Sequence, residues 1–130
     1  LSDTTGYGDP ATVKTLIRKL QSAIGRDKIT GIHLHNTRGL GLANAFAAIE
    51  EGITTIDSSI SGIGGCPFAP GASGNIVTED LVFMLDAMGY ETGIDLDKLF
   101  QIRNILSDAL PEEPLYGYTI DAGLPVGYKQ

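Results

Sequence analysis

The alternation of helical and strand-like segments is the feature that most restricts how this chain folds. Residues 10–24 are predicted to form a helix, because Asp9-Pro10 is typical of a helix start and apolar residues then recur every three or four positions. Predicted strands at 28–34 and 53–57 flank a predicted helix at 40–51. This order indicates βα units around a parallel sheet, and it fits a barrel and a doubly wound sheet equally well.

Further segments complete the pattern. Residues 1–3 are a predicted strand stub, and helices are expected at 78–89 and at 96–110 after an Asp95 cap. Residues 58–75 are too rich in glycine and proline for regular structure and predict a long structured loop. Residues 116–130 lack periodicity, so we expect an irregular C-terminal arm.

Charge and length exclude several classes of function. The 130 residues carry a net charge of −7, which argues against nucleic acid or an anionic membrane as a partner. The apolar runs are shorter than the ~20 residues that a membrane span needs. A single cysteine excludes an internal disulfide and suits a reducing compartment. Leu1 is not an initiator methionine, so we expect the true N-terminus to lie upstream.

The His33-Leu34-His35 segment is a candidate metal site. Side chains alternate faces along a strand, so residues two apart project to the same side and can share one ion. The pair lies at the carboxyl end of its predicted strand, where ligands bind in parallel α/β folds. The alternative is that one histidine ends the strand and the other packs in the core.

Three further residues are candidates. Cys66 lies in a glycine-rich loop where an accessible thiol can act as an acid, or it is a small half-buried turn residue. Asn75 precedes a helix, where capping is the favoured interpretation, although an amide oxygen also suits a hard divalent cation. Asp3 could add a carboxylate at the same sheet edge or be an exposed or capping aspartate, and we assign Asp57 no catalytic role.

These stretches together resemble the 3-hydroxy-3-methylglutaryl-CoA (HMG-CoA) lyase family, which is built on the TIM (β/α)8 barrel. The resemblance covers nearly the whole chain. It is carried by His33-Leu34-His35-Asn36-Thr37-Arg38-Gly39, Ala43-Asn44-Ala45, Asp57-Ser58-Ser59, Gly64-Gly65-Cys66-Pro67-Phe68-Ala69 and Gly71-Ala72-Ser73-Gly74-Asn75. Related condensing enzymes share the histidines but not the Gly-Gly-Cys-Pro segment. We therefore expect residues 1–130 to be the C-terminal portion of such a barrel, its last βα units followed by a helical arm, without a second domain.

The resemblance implies a carbon–carbon lyase that cleaves HMG-CoA, or a close branched 3-hydroxyglutaryl-CoA ester, to acetyl-CoA and acetoacetate. It implies Mg²⁺ or Mn²⁺ as the cofactor, His33, His35 and Asn75 as metal ligands, and Cys66 as the catalytic residue. An acyl-CoA is the implied partner, with self-association of the chain as a further expectation. The cytoplasm is the expected location, with the mitochondrial matrix as the alternative.

Two departures from the family bear on these expectations. The family's first barrel strand supplies an aspartate ligand and an arginine, and this chain lacks that strand, so we expect the chain alone to be inactive. Arg38 stands where better-known members carry a tyrosine, which leaves the acyl group open. A metal- or CoA-binding fragment without catalysis, and a related Claisen-condensing synthase, are the alternative functions.

Overall fold

A computed structural model describes residues 1–65 and 74–128 of the chain. The fold divides into two compact units. The first is Leu1–Ser58 with the described part of Gly64–Ile76, and the second is Ser59–Ile63 with the described part of Val77–Gln130. In the described part, no helix combines the length and apolar character that crossing a bilayer requires.

The first unit is a parallel sheet covered on one face by helices. Its strands are β1 (Ser2–Asp3), β2 (Gly31–Leu34) and β3 (Thr55–Asp57), in the spatial order β1-β2-β3. Helix α1 (Pro10–Ile24) connects β1 to β2, and helix α2 (Gly41–Glu50) connects β2 to β3. A 3-10 turn at Arg26–Lys28 precedes β2. The predicted βα alternation and parallel sheet are therefore confirmed.

One face of β2 forms the core of this unit. Ile32 and Leu34 are buried there, together with Val13 and Ile17 from α1 and Ala45 from α2. His33, between the two buried residues, is only partly buried. This alternation places apolar residues against the helices and leaves the opposite face of the sheet for the histidine.

The second unit is helical. It contains α3 (Thr78–Ala87), α4 (Leu96–Ala109) and α5 (Tyr118–Ala122), preceded by a 3-10 turn at Ile60–Gly62. Val82, Leu96 and Leu99 form its buried cluster. The buried Glu79 carboxylate accepts hydrogen bonds from the backbone N–H and the hydroxyl of Ser61. The Asp80 carboxylate accepts from the N–H groups of Tyr118 and Thr119.

Three sequence-based expectations need correction. The strands are shorter than predicted, because the segment before β2 turns into the 3-10 helix and β3 begins at Thr55. The arm at 116–130 is not wholly irregular, since α5 forms where Asp80 satisfies its first N–H groups. Asn75 does not cap α3, whose N-cap position is Val77 and has no side-chain cap.

Candidate metal centre

The two histidines lie together at the carboxyl end of β2. Their ring centroids are 5.3 Å apart with an interplanar angle of 62°. A metal–imidazole bond is about 2 Å long, so two rings at this separation can reach a common ion. The structure thus places both imidazoles on one side of the sheet, as the spacing predicts.

Asn75 is brought beside His35 by backbone pairing. The two residues form an antiparallel bridge. Ile76 N–H donates to the Leu34 carbonyl at 3.2 Å, and Asn36 N–H donates to the Gly74 carbonyl at 3.1 Å. The segment 74–76 therefore runs along the end of β2, which explains why Asn75 does not cap α3.

The side chain of Asn75 is oriented by Gly64. Its Nδ2 donates to the Gly64 carbonyl at 3.3 Å. Gly64 has φ +98°, and a Cβ there would lie 2.9 Å from that Nδ2, so both the backbone conformation and the close approach require glycine. This tether fixes the amide at the same edge of the sheet as His35. Cys66, two residues further on, lies outside the described residues.

The electrostatics of His35 suit a metal ligand. Burial lowers the pKa of His35, the neighbouring His33 ring lowers it further, and the Asp3 carboxylate acts in the opposite direction. The lowered pKa favours the neutral imidazole, which is the form that binds metal. Its Nδ1 is buried and has no hydrogen-bond partner among the described residues, although buried polar atoms are normally paired. These observations fit a divalent cation.

Asp3 serves the loop after β1. Its Oδ1 accepts from Tyr7 N–H at 3.1 Å and its Oδ2 from Gly8 N–H at 2.9 Å. Asp3 is the register partner of Leu34, not of His33. Within residues 1–65 and 74–128, no group of three or more His, Cys, Asp or Glu residues could hold a metal ion. Among the described residues, therefore, no Asp, Glu or Cys side chain joins His33 and His35 in a three-residue cluster.

Three residues that contribute to this region have no assigned role from sequence reasoning. The Asn44 side chain donates from α2 to the Gly8 carbonyl at 2.9 Å and thereby shapes the loop after β1. Arg38 donates to the carbonyls of Thr5 and Gly6, and Asp57 lies beside His33. The contacts of all three residues join segments far apart in sequence, so helical or strand periodicity does not reveal them.

Comparison with known proteins places this chain in a family. Residues 1–106 match the family model described as HMGL-like. Over 110 residues, or 85% of this chain, the sequence is 43% identical to the cytoplasmic 3-hydroxy-3-methylglutaryl-CoA lyase of Rattus norvegicus, covering 32% of that protein. It is 49% identical over the same share to the (R)-citramalyl-CoA lyase of Chloroflexus aurantiacus, covering 34% of it.

A solved structure gives the same result. The HMG-CoA lyase from Acinetobacter baumannii, in complex with coenzyme A and 3-methylmalate, superposes with a TM-score of 0.87 at 45% identity. The match covers 100% of this chain and 42% of that one. The chain spans about a third of the length of the curated relatives that it matches. The partial barrel expected from the sequence agrees with these neighbours.

Proposed function

This chain belongs to the HMGL-like family, and we propose that the protein containing it is a metal-dependent lyase that cleaves HMG-CoA, or a close branched relative, to acetyl-CoA and acetoacetate. The observation that carries the proposal is the placement of His33, His35 and Asn75 at one end of β2. Relatives named as lyases of HMG-CoA and of citramalyl-CoA support it.

His33, His35 and Asn75 are the residues that would hold Mg²⁺ or Mn²⁺. A bound divalent ion would supply Lewis acidity toward the hydroxyl and carboxylate oxygens of the substrate. The neutral state of His35 keeps its lone pair free for this role. Because this part of the chain holds two imidazoles and one amide, the remaining ligand belongs to another segment of the full protein, as the family resemblance implies.

The proposed reaction breaks the bond between the carbinol carbon and the methylene of the thioester. A base removes the hydroxyl proton, the carbinol carbon becomes a ketone, and the electron pair of the broken bond passes to the acetyl carbon. The Cys66 thiol then donates its proton to that carbon, giving acetyl-CoA. The role of Cys66 rests on its match to the Gly-Gly-Cys-Pro loop of the family.

Arg38 is the proposed partner of the free carboxylate of the substrate. Its Nη1 donates to the carbonyls of Thr5 at 3.1 Å and Gly6 at 3.2 Å, and its Cζ lies 4.2 Å from the ring centroid of Tyr7. These groups fix the guanidinium without neutralising it, and it forms no ion pair with a described acidic residue. A fixed, unneutralised guanidinium suits two-point recognition of a carboxylate.

A second candidate substrate is a citramalyl-CoA-type ester, favoured by the 49% identity to the citramalyl-CoA lyase. Its carboxylate is attached directly to the carbinol carbon, so the same bond cleavage would give acetyl-CoA and pyruvate. The chemistry at the breaking bond is unchanged. The two substrates differ only in the distance between hydroxyl and carboxylate.

The test uses the purified full-length protein with Mg²⁺ or Mn²⁺. Acetoacetate release from HMG-CoA and pyruvate release from citramalyl-CoA are measured separately, for the wild type and for His35→Ala. The proposal predicts turnover of at least one ester and its loss in the variant. Mn²⁺ binding without turnover of either ester would favour the alternative of metal or CoA binding without catalysis. Product formation unaffected by His35→Ala would refute the proposed site.

A further inference from the structure

The carboxylate of Asp57 lies beside the imidazole of His33, and this contact has no place in the mechanism above. We infer that Asp57 is a positioning residue: it holds the Nδ1–H of His33 and so directs Nε2 toward the cation. The inference rests on the proposed metal site. It adds to that site a residue that touches neither the substrate nor the ion.

The sheet register creates the contact. Strands β2 and β3 are parallel, and His33 and Asp57 are Cα partners. Partners in a parallel register have side chains on the same face of the sheet. His33 Nδ1 lies 3.4 Å from Asp57 Oδ2. Because the backbones of two paired strands fix this proximity, it does not depend on a flexible side chain reaching across solvent.

The chemistry of imidazole gives the contact its consequence. In the neutral ring one nitrogen carries the proton and the other carries the lone pair. A carboxylate beside Nδ1 favours the tautomer with the proton on Nδ1, so the lone pair remains on Nε2. Metal-binding histidines characteristically donate their second ring N–H to a carboxylate, a carbonyl or water. Asp57 Oδ2, 3.4 Å from His33 Nδ1, is the described carboxylate oxygen available as that acceptor.

The two histidines are thus oriented by different means. His35 is 5% exposed, and its Nδ1 has no hydrogen-bond partner among the described residues. The side chain of His33 is 37% exposed, so burial alone does not hold its ring. Within the described residues, the Asp57 carboxylate contacts a ring nitrogen of His33, whereas the ring of His35 is held by burial and the Asp3 carboxylate acts on it only through its charge.

Asp57 does not act as a third ligand in this arrangement. No group of three or more His, Cys, Asp or Glu residues within 1–65 and 74–128 could hold an ion. The Asp57 carboxylate contacts Nδ1 of His33. A residue that orients a metal-binding histidine acts through such a contact with the ring nitrogen that does not bind the metal. Its effect on the metal therefore passes through the histidine.

Two measurements on the full-length protein test the inference. The first is the affinity for Mn²⁺ alone, by titration calorimetry. The second is the tautomer of His33 in the metal-free protein at alkaline pH, from the ¹⁵N chemical shifts of the ring. We compare the wild type with Asp57→Ala and Asp57→Asn, and Asp27→Asn is the control because Asp27 is an exposed aspartate that pairs with Lys28.

The expected result is a single Nδ1–H tautomer in the wild type and in Asp27→Asn, and a mixture of tautomers in Asp57→Ala. Mn²⁺ affinity should fall by about 10–100-fold in Asp57→Ala, the usual effect of removing such a partner. Asp57→Asn should retain part of the preference for the Nδ1–H tautomer and part of the Mn²⁺ affinity, because its amide oxygen still accepts a hydrogen bond. A loss of affinity without a change of tautomer would overturn the inference.

The outcomes separate this inference from the proposed function. A wild type that binds no Mn²⁺ would refute the metal site, and the inference would fall with it. A wild type that binds Mn²⁺ with His33 protonated on Nε2 would refute only the role of Asp57. The second result is read from the wild type, so it stands even if the Asp57 variants fail to fold.

Discussion

At the scale of single residues, the candidate site depends on groups held by neighbours that are themselves fixed. Asn75 is tethered to the Gly64 carbonyl, and Arg38 is held by the carbonyls of Thr5 and Gly6. Preorganisation of this kind lowers the cost of binding, because less side-chain freedom is lost.

Replacing Cys66 by alanine in the full-length enzyme should lower turnover by about 10²–10⁴-fold, the usual contribution of a general acid. Mn²⁺ affinity should stay nearly unchanged, because the thiol is proposed as a proton donor and not as a ligand. Steady-state kinetics and metal titration measure the two effects separately. A Cys66→Ala variant with full activity would remove the thiol from the mechanism.

Replacing Arg38 by glutamine should raise the KM for the acyl-CoA substrate by about 10–100-fold, since a charge-assisted hydrogen bond contributes roughly 1.5–3 kcal/mol. The change in kcat should be smaller, because the carboxylate lies away from the breaking bond. Lys19→Gln is the matched control: it removes one positive charge from an exposed position on α1. Equal effects of the two substitutions would reject a specific role for Arg38.

At the scale of elements, α1 is attached to the end of α2 by polar contacts. Glu51 follows α2 and accepts from Arg18 Nε at 2.8 Å, and Gln21 Nε2 donates to the Glu51 carbonyl at 3.0 Å. The hydrogen bond from Arg18 is the main cause that lowers the pKa of Glu51, with the charges of Arg18 and Lys14 adding to it. The pair therefore links the two helices that cover β2.

The lowered pKa of Glu51 sets the sign of a pH effect. A carboxyl group whose pKa is lower in the folded state than in the unfolded state stabilises the fold at pH values above its unfolded-state pKa. This stabilisation is lost as the pH falls through the folded-state pKa. Glu51→Gln should therefore lower the Tm at pH 7. The Tm difference from the wild type should shrink at pH values well below 4.5, the ordinary pKa of a glutamate side chain.

Thermal denaturation of the full-length protein across this pH range measures the effect. Glu50→Gln is the control, because Glu50 pairs with Lys14 and its side chain is 45% exposed, against 10% for Glu51. Glu50→Gln should change the Tm less than Glu51→Gln does, since exposed ion pairs contribute little to stability. If the Tm difference caused by Glu51→Gln did not vary with pH, the pair with Arg18 would not be its source.

At the scale of the whole molecule, the described part of the chain contains one three-stranded parallel sheet. Eight strands are needed to close the barrel of this fold. Strands β1 and β3 form the two edges, and unpaired edges recruit other strands. The chain spans about a third of the length of its relatives, and its described part presents the sheet edge that carries His33 and His35 without the strands that would close a barrel.

We predict that the isolated 130 residues show no lyase turnover and self-associate. His33, His35 and Asn75 leave an ion under-coordinated, although weak metal binding should survive. Acetoacetate release from HMG-CoA with Mn²⁺ and the mass in solution by light scattering are the measurements. Robust turnover by a monomer of 13.7 kDa would contradict both parts of the prediction.

The sequence alone determined the elements whose signals are local. The start of α1 follows from Asp9, whose side chain accepts from the N–H groups of Ala11 and Thr12, and α4 starts in the same way at Asp95. The common side of His33 and His35 follows from strand alternation. Each of these depends on residues a few positions apart, so the energies that decide them are visible in a short window of sequence.

Roles that depend on distant segments follow from how the folded chain brings those segments together. Asn75 has the local signal of a helix cap, yet pairing with the end of β2 places it beside His35. Asp57 meets His33 through the register of two strands, and α5 starts where Asp80, 38 residues before Tyr118, supplies the acceptor. These contacts form only when the chain has paid the entropy of closing long loops, and no local pattern records which pairs will meet.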